Sequence, residues 1–190
     1  MDQFEYVVVL TSLILGLGIA QILTGIADVL SNYKNSSLYL PHSLFVIQIF
    51  LLHIQEWWIN YEYASIIDNW TLKIVLSILA YPILLYLMAR MIFPTGIRGS
   101  ETDFKAYYQD QWRFIFVIGL IAVILSIIQN AMISNIPVTD QWPQIGYLVV
   151  YAGFVLSNTK NNLAHILFQT ITVLILIGYV ITDMTQLEAY

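Results

Sequence analysis

Cysteine is absent from the 190 residues. With it go disulfides, thiolate metal sites, iron–sulfur ligation and thiol nucleophiles. Charge is nearly as scarce: 10% of residues are Asp, Glu, Lys or Arg, where soluble domains carry about a quarter. No basic nucleic-acid surface, low-complexity segment or repeat of fixed period is present. The usual catalytic signatures are missing as well. His53-x-x-Glu56 is not the His-Glu-x-x-His of a zinc peptidase, and neither a Gly-x-Ser-x-Gly elbow nor a phosphate loop occurs. The opening MDQFEY is acidic where a cleavable signal peptide would be basic, so the first apolar block is expected to stay in the mature protein.

What the chain has in quantity is apolar sequence: 59% hydrophobic residues and a mean hydropathy of +0.75. It comes in long blocks with short polar connections, the pattern of one all-α, polytopic transmembrane bundle occupying residues 1–190 as a single domain. Six spans are expected, at about 6–30, 39–59, 71–93, 112–133, 143–157 and 161–182. The fifth is short for a bilayer and must tilt or borrow from its flanks. Pro82 should bend the third. Ser100 and Asp103 have capping-box spacing, which starts a helix near Glu101. From about 101 to 111 that helix, with Phe104, Tyr107, Tyr108 and Trp112 on one side, is expected to lie along the cytoplasmic headgroups.

Six spans put both termini on one face. The opposite face collects Lys34, Arg90, Arg98, Lys105, Arg113 and Lys160, leaving only Lys73 with the termini. Positive charge accumulates in the cytoplasm, so both termini are expected to be extracytoplasmic.

Polar residues inside spans are expensive in hydrocarbon and mark working sites. The densest set is in the second span, where the run QIFLLHIQEWW carries Gln48, His53, Gln55 and Glu56. His53 and Glu56, three apart, can share a helix face and a proton. The same residues also permit a plainer reading, with Glu56 reaching the outer headgroups beside Trp57 and Trp58. Gln21, Gln129 and Asn130 would complete a polar lining, in two polar clusters separated by apolar layers. His42 and His165 open the second and sixth spans at similar depth and are the weak haem candidates; otherwise no cofactor or metal is expected. Tyr147 and Tyr151 read as aromatic packing. In the first span, Ser12, Gly16, Ala20 and Thr24 form a small-residue ridge suited to close helix contact. It suggests a central helix, or a docking edge for a second copy or a membrane partner.

The segments FEYVVVLTSLILGLGIAQILTG, HIQEWW, AYPILLYLMARMIFP and DFKAYYQDQWRF, taken in order, resemble a family of uncharacterised bacterial multi-span membrane proteins of about this length. The resemblance covers the first two-thirds of the chain. It implies a bacterial cytoplasmic-membrane protein and transfers no catalytic residue. Two functions follow from the residues: a non-enzymatic interaction or small-subunit protein with a polar interior, or a proton or small-cation carrier or channel using Glu56, His53 and Gln48. An intramembrane enzyme or haem protein is the remote third.

Overall fold

The computed structural model describes residues 3–67, 69–98 and 101–186. They form six α-helices: α1 (Gln3–Ser31), α2 (Leu40–Ile66), α3 (Leu72–Met91), α4 (Phe104–Met132), α5 (Trp142–Ser157) and α6 (Asn162–Gln186). Two-residue strands β1 (Ser36–Ser37) and β2 (Thr102–Asp103) pair in parallel beside an otherwise all-helical fold, as the sequence leads one to expect. The acidic residues Glu62 and Asp183 lie on helical backbone whose side chains are not described. Ser100, Asp68 and Glu188 lie outside the described residues.

Four helices are long and apolar enough to cross a membrane: α1, α3, α4 and α6 through Thr182. α5, with 16 residues, is about 24 Å long against a hydrocarbon core of about 30 Å. α2 is long enough, but polar residues dilute it. It also runs to Ile66, well past the expected end near Ile59. The stretch NYEYASI lowers hydropathy without offering a proline or glycine to stop a helix, so the drop marked polarity and not a break.

The segment expected to lie on headgroups forms the first turns of α4, which runs on without a break into the fourth expected span. Asp103 caps it, accepting from the N–H groups of Lys105 at 2.9 Å and Ala106 at 3.1 Å. These donors, Ala106 first, hold the Asp103 carboxyl below its ordinary range. Phe104, Tyr108 and Trp112 recur every fourth residue and turn inward, buried in the main core.

α2 is the helix with the most helix neighbours, while α5 packs on α4. α2 packs against α1, α3, α6 and, over a shorter stretch, α4. The ridge on α1 is not a packing face: Gly16, Ala20 and Thr24 are exposed, and nothing lies near the missing Cβ of Gly16. α1 instead buries Val7, Thr11, Leu15, Gly18, Ile22 and Gly25 against α3 and α2. The outward faces of the bundle carry Leu13, Leu17, Leu76, Ile121, Ile171 and Leu174, all exposed.

Contacts at the two ends show that successive helices alternate in direction. At one end Asn32 Nδ2 donates to the Ile97 carbonyl at 2.7 Å. There too His42 Nε2 donates to the Ile92 carbonyl at 2.7 Å, and Tyr107 Oη to the Met91 carbonyl at 2.7 Å. At the other end Gln129 Nε2 donates to the Ser77 carbonyl at 2.6 Å, beside a cluster of Val7, Tyr63, Ile78 and Ile133. The first end carries Lys34, Arg90, Arg98, Lys105, Arg113 and Lys160; Lys73 opens α3 at the second. All seven are exposed.

Where α4 meets α5, Gly119 admits the Tyr151 hydroxyl into the space a Cβ would fill. The Tyr151 ring stacks on Phe116 with centroids 5.3 Å apart and cannot swing away, and its hydroxyl has no hydrogen-bond partner. Gly119→Ala is therefore expected to cost about 1–3 kcal/mol through overpacking. Tyr151→Phe, which deletes an unpaired buried hydroxyl, should be neutral or slightly stabilising and should recover most of the loss in the double variant. Thermal unfolding in detergent measures the cycle. An equal Gly119→Ala penalty with Tyr or Phe at 151 would refute the contact.

Candidate functional site: the polar interior around α2

At 100° per residue, His53, Glu56, Asn60 and Tyr63 fall within about 80° of arc on α2. All four are buried, and Gln48 is buried at the edge of the same face. The imidazole of His53 packs against Gly18 of α1, whose missing side chain makes room for the ring. His53 Nδ1 donates to the Ile49 carbonyl at 2.7 Å, one turn back. Its other nitrogen, Nε2, is then an acceptor, buried and unpaired.

Glu56 is 5% exposed, although the surface reading of its side chain would have it reach headgroups. Its Oε1 has no hydrogen-bond partner. On α3, Tyr81 stands within electrostatic reach of Glu56 and also of Tyr63 and Tyr147. Asn60 Nδ2 donates to the backbone carbonyl of Glu56 at 2.7 Å, while its own Oδ1 is unpaired. Every Lys and Arg is exposed, so no lysine or arginine is buried with this carboxyl; the buried imidazole that shares its face is His53. A buried carboxylate needs a counter-charge, and no lysine or arginine supplies one here.

Unpaired buried atoms also include Gln48 Oε1, Gln55 Oε1 and both amide atoms of Gln169. Each such atom costs about 1–3 kcal/mol if left dry, and native interiors keep few of them. Most of them belong to α2: Gln48, His53, Gln55, Glu56 and Asn60.

A large apolar core that includes Leu15, Phe45, Ile49, Leu85 and Met88 fills the middle of the bundle, and tyrosines run through it. Tyr108 of α4 approaches Gln169 of α6, Tyr147 approaches Thr172, and Tyr151 is in electrostatic reach of Tyr81, Tyr108 and Tyr147. Tyrosine hydroxyls thus occupy the middle of the bundle. The sequence shows these residues as aromatic bulk; only their clustering in three dimensions shows the polar ends together. Asn60 and Tyr81 went unrecognised for local reasons. Asn60 fell beyond the expected helix end, although its place one turn after Glu56 was the available signal. Tyr81 was overshadowed by Pro82.

The other sequence candidates are dispersed. Gln129 binds the Ser77 carbonyl, and Asn130 Nδ2 donates to Gln144 Oε1 at 3.1 Å, so both fasten helix ends together. Gln21 lines a separate cavity between α1 and α3 that includes neither Glu56 nor Gln129. His42 and His165 do sit at the same end, but their Nε2 atoms are engaged by carbonyls of Ile92 and Thr159. His165 Nδ1 also accepts from the Tyr108 hydroxyl at 2.9 Å. A haem iron would have to displace these bonds. No family model matches the chain, and neither does any curated protein or solved structure.

Proposed function

We propose that this chain is a six-span protein of a bacterial cytoplasmic membrane, both termini outside, that carries protons or small cations through the polar interior around α2. The observation that carries the reading is Glu56: a carboxyl buried with no lysine or arginine beside it, sharing a helix face with His53, among unpaired polar atoms of Gln48, His53, Gln55 and Asn60. A group in that setting, with no fixed lysine or arginine, suits exchange of a proton with His53 or of a charge with something mobile, which is how carriers and channels use intramembrane acids. Six spans are supported by the alternation of the helix ends, by the position of α2 among α1, α3 and α6, and by the collection of six basic residues at one end. The bacterial membrane assignment rests on the resemblance of the first two-thirds of the sequence. The test is proton flux into liposomes reported by an enclosed pH-sensitive dye.

A second reading is supported by a different observation. The ridge of Ser12, Gly16, Ala20 and Thr24 is unused within the chain, with Gly16, Ala20 and Thr24 exposed. Small residues on an outward face let another transmembrane helix come close, which suits an interaction or small-subunit role. That role predicts silence in the flux assay.

A further inference from the structure

Beside the basic end, between α1 and the last turns of α3, lies a partly open cavity of about 300 Å³. Gln21, Thr24 and Asp28 line it from α1, Arg90 from α3, and Thr95 from the turn that follows. Its depth has a sequence cause. Gly25 takes the Phe93 ring where a Cβ would sit, drawing the two helices together below the opening. Gly96, at φ +79°, turns the chain back over the top.

The charges select the ligand. Asp28 is already matched by Arg98, whose Nε donates to Asp28 Oδ1 at 2.6 Å. Arg90 makes no ion pair among the described residues. With Asp28 held by Arg98, which stands outside the lining, Arg90 is the lining charge left for a ligand, together with Gln21, Thr24 and Thr95 as neutral donors. A cation is disfavoured and a phosphate group is favoured. Gln21 lies seven residues before Asp28, about 10 Å deeper along α1, so polar lining continues from the rim down between two apolar helices. Free phosphate would use the rim alone. A phospholipid uses both, with its phosphate at Arg90 and its glycerol esters at Gln21.

We infer that this cavity is a binding site for the phosphodiester headgroup of an anionic phospholipid, with Arg90 as its cation. In the six-span arrangement the opening faces the inner leaflet, where basic pockets between helices take such headgroups. The inference concerns a cavity apart from Glu56 and does not depend on transport.

The experiment is a thermal shift of the purified full chain in a neutral detergent. It is titrated in separate arms with short-chain phosphatidylglycerol, short-chain phosphatidylcholine and inorganic phosphate. Phosphatidylglycerol should stabilise at concentrations where the other two do nothing. Arg90→Gln should weaken that effect roughly ten- to hundredfold, the worth of one charged hydrogen bond. Lys105→Gln, which removes a charge from the same end outside the cavity, should leave it within about twofold. Should Arg90→Gln fail to fold, Gln21→Leu tests the deep end and should weaken the lipid arm severalfold. Equal stabilisation by inorganic phosphate or phosphatidylcholine overturns the lipid assignment. An effect that survives both cavity substitutions, or that Lys105→Gln removes equally, overturns the site.

Discussion

Glu56→Gln is expected to reduce proton or cation flux in liposomes to the level of protein-free vesicles, while folded yield and thermal stability stay close to those of the parent. Glutamine matches glutamate in shape and in hydrogen-bonding reach, so packing around Tyr81 and Asn60 is preserved. Because Glu56 Oε1 has no partner in the chain, its replacement breaks no internal bond, and the stability change should be within about 1 kcal/mol. What is lost is the ability to exchange a proton or balance a cation, the only role burial without a counter-charge leaves to the group. Asp110→Asn, an exposed carboxylate on α4, serves as the control and should transport normally. Unaltered flux in Glu56→Gln would remove this residue from the mechanism. A parent chain with no flux for protons, sodium or potassium would favour the interaction reading.

Substituting Gly18 is expected to do the reverse, destroying the fold while leaving every polar residue in place. A Cβ there overlaps the His53 imidazole. The ring cannot retreat, being fully buried and tied through Nδ1 to the Ile49 carbonyl. Gly18→Ala should cost about 1–3 kcal/mol. Gly18→Leu, which adds three more carbons to the same space, should give no folded monomer by gel filtration. His53→Ala removes the obstructing ring, so Gly18→Ala should cost markedly less in that background, a coupling of about 1 kcal/mol or more. Additive losses would mean that the two side chains do not meet. The pair also ties packing to chemistry, since α1 approaches α2 at the turn preceding Glu56.

Much of this was legible in the sequence because hydrocarbon is an undemanding solvent: a helix that faces it has only to be apolar and long. Hence α1, α3, α4 and α6 followed from hydropathy alone, and the alternation of ends followed from their short connections. Hydropathy measures solvent and not backbone, which is why the end of α2 was placed near Ile59 when the helix continues to Ile66. It also cannot say which side of a helix has a neighbour. Two small-residue faces compete on α1, and the one holding Gly18 and Gly25 won because His53 and Phe93 fit into it, leaving Gly16 and Ala20 outside. The aromatic start of α4 has the same period whether that side meets headgroups or protein; the burial of Phe104 shows that it packs against the other helices. At the site, His53 and Glu56 were visible by spacing. Asn60 lies beyond the helix end that hydropathy suggests, and Tyr81 is not visible because a long-range contact with α3 leaves no local mark.

The central claim is that α2 and α5 cross the bilayer along with the four strongly apolar helices, placing the basic end in the cytoplasm. Because the chain has no cysteine, single cysteines can be read against a clean background, at Ser37, Asn69, Thr139 and Asn162, all exposed in loops or at helix ends. Treated with a membrane-impermeant maleimide, intact cells should label Asn69→Cys and Thr139→Cys and leave Ser37→Cys and Asn162→Cys untouched until the membrane is opened. If Asn69→Cys behaves like Ser37→Cys, or Thr139→Cys like Asn162→Cys, then α2 or α5 does not cross, and the six-span account is wrong.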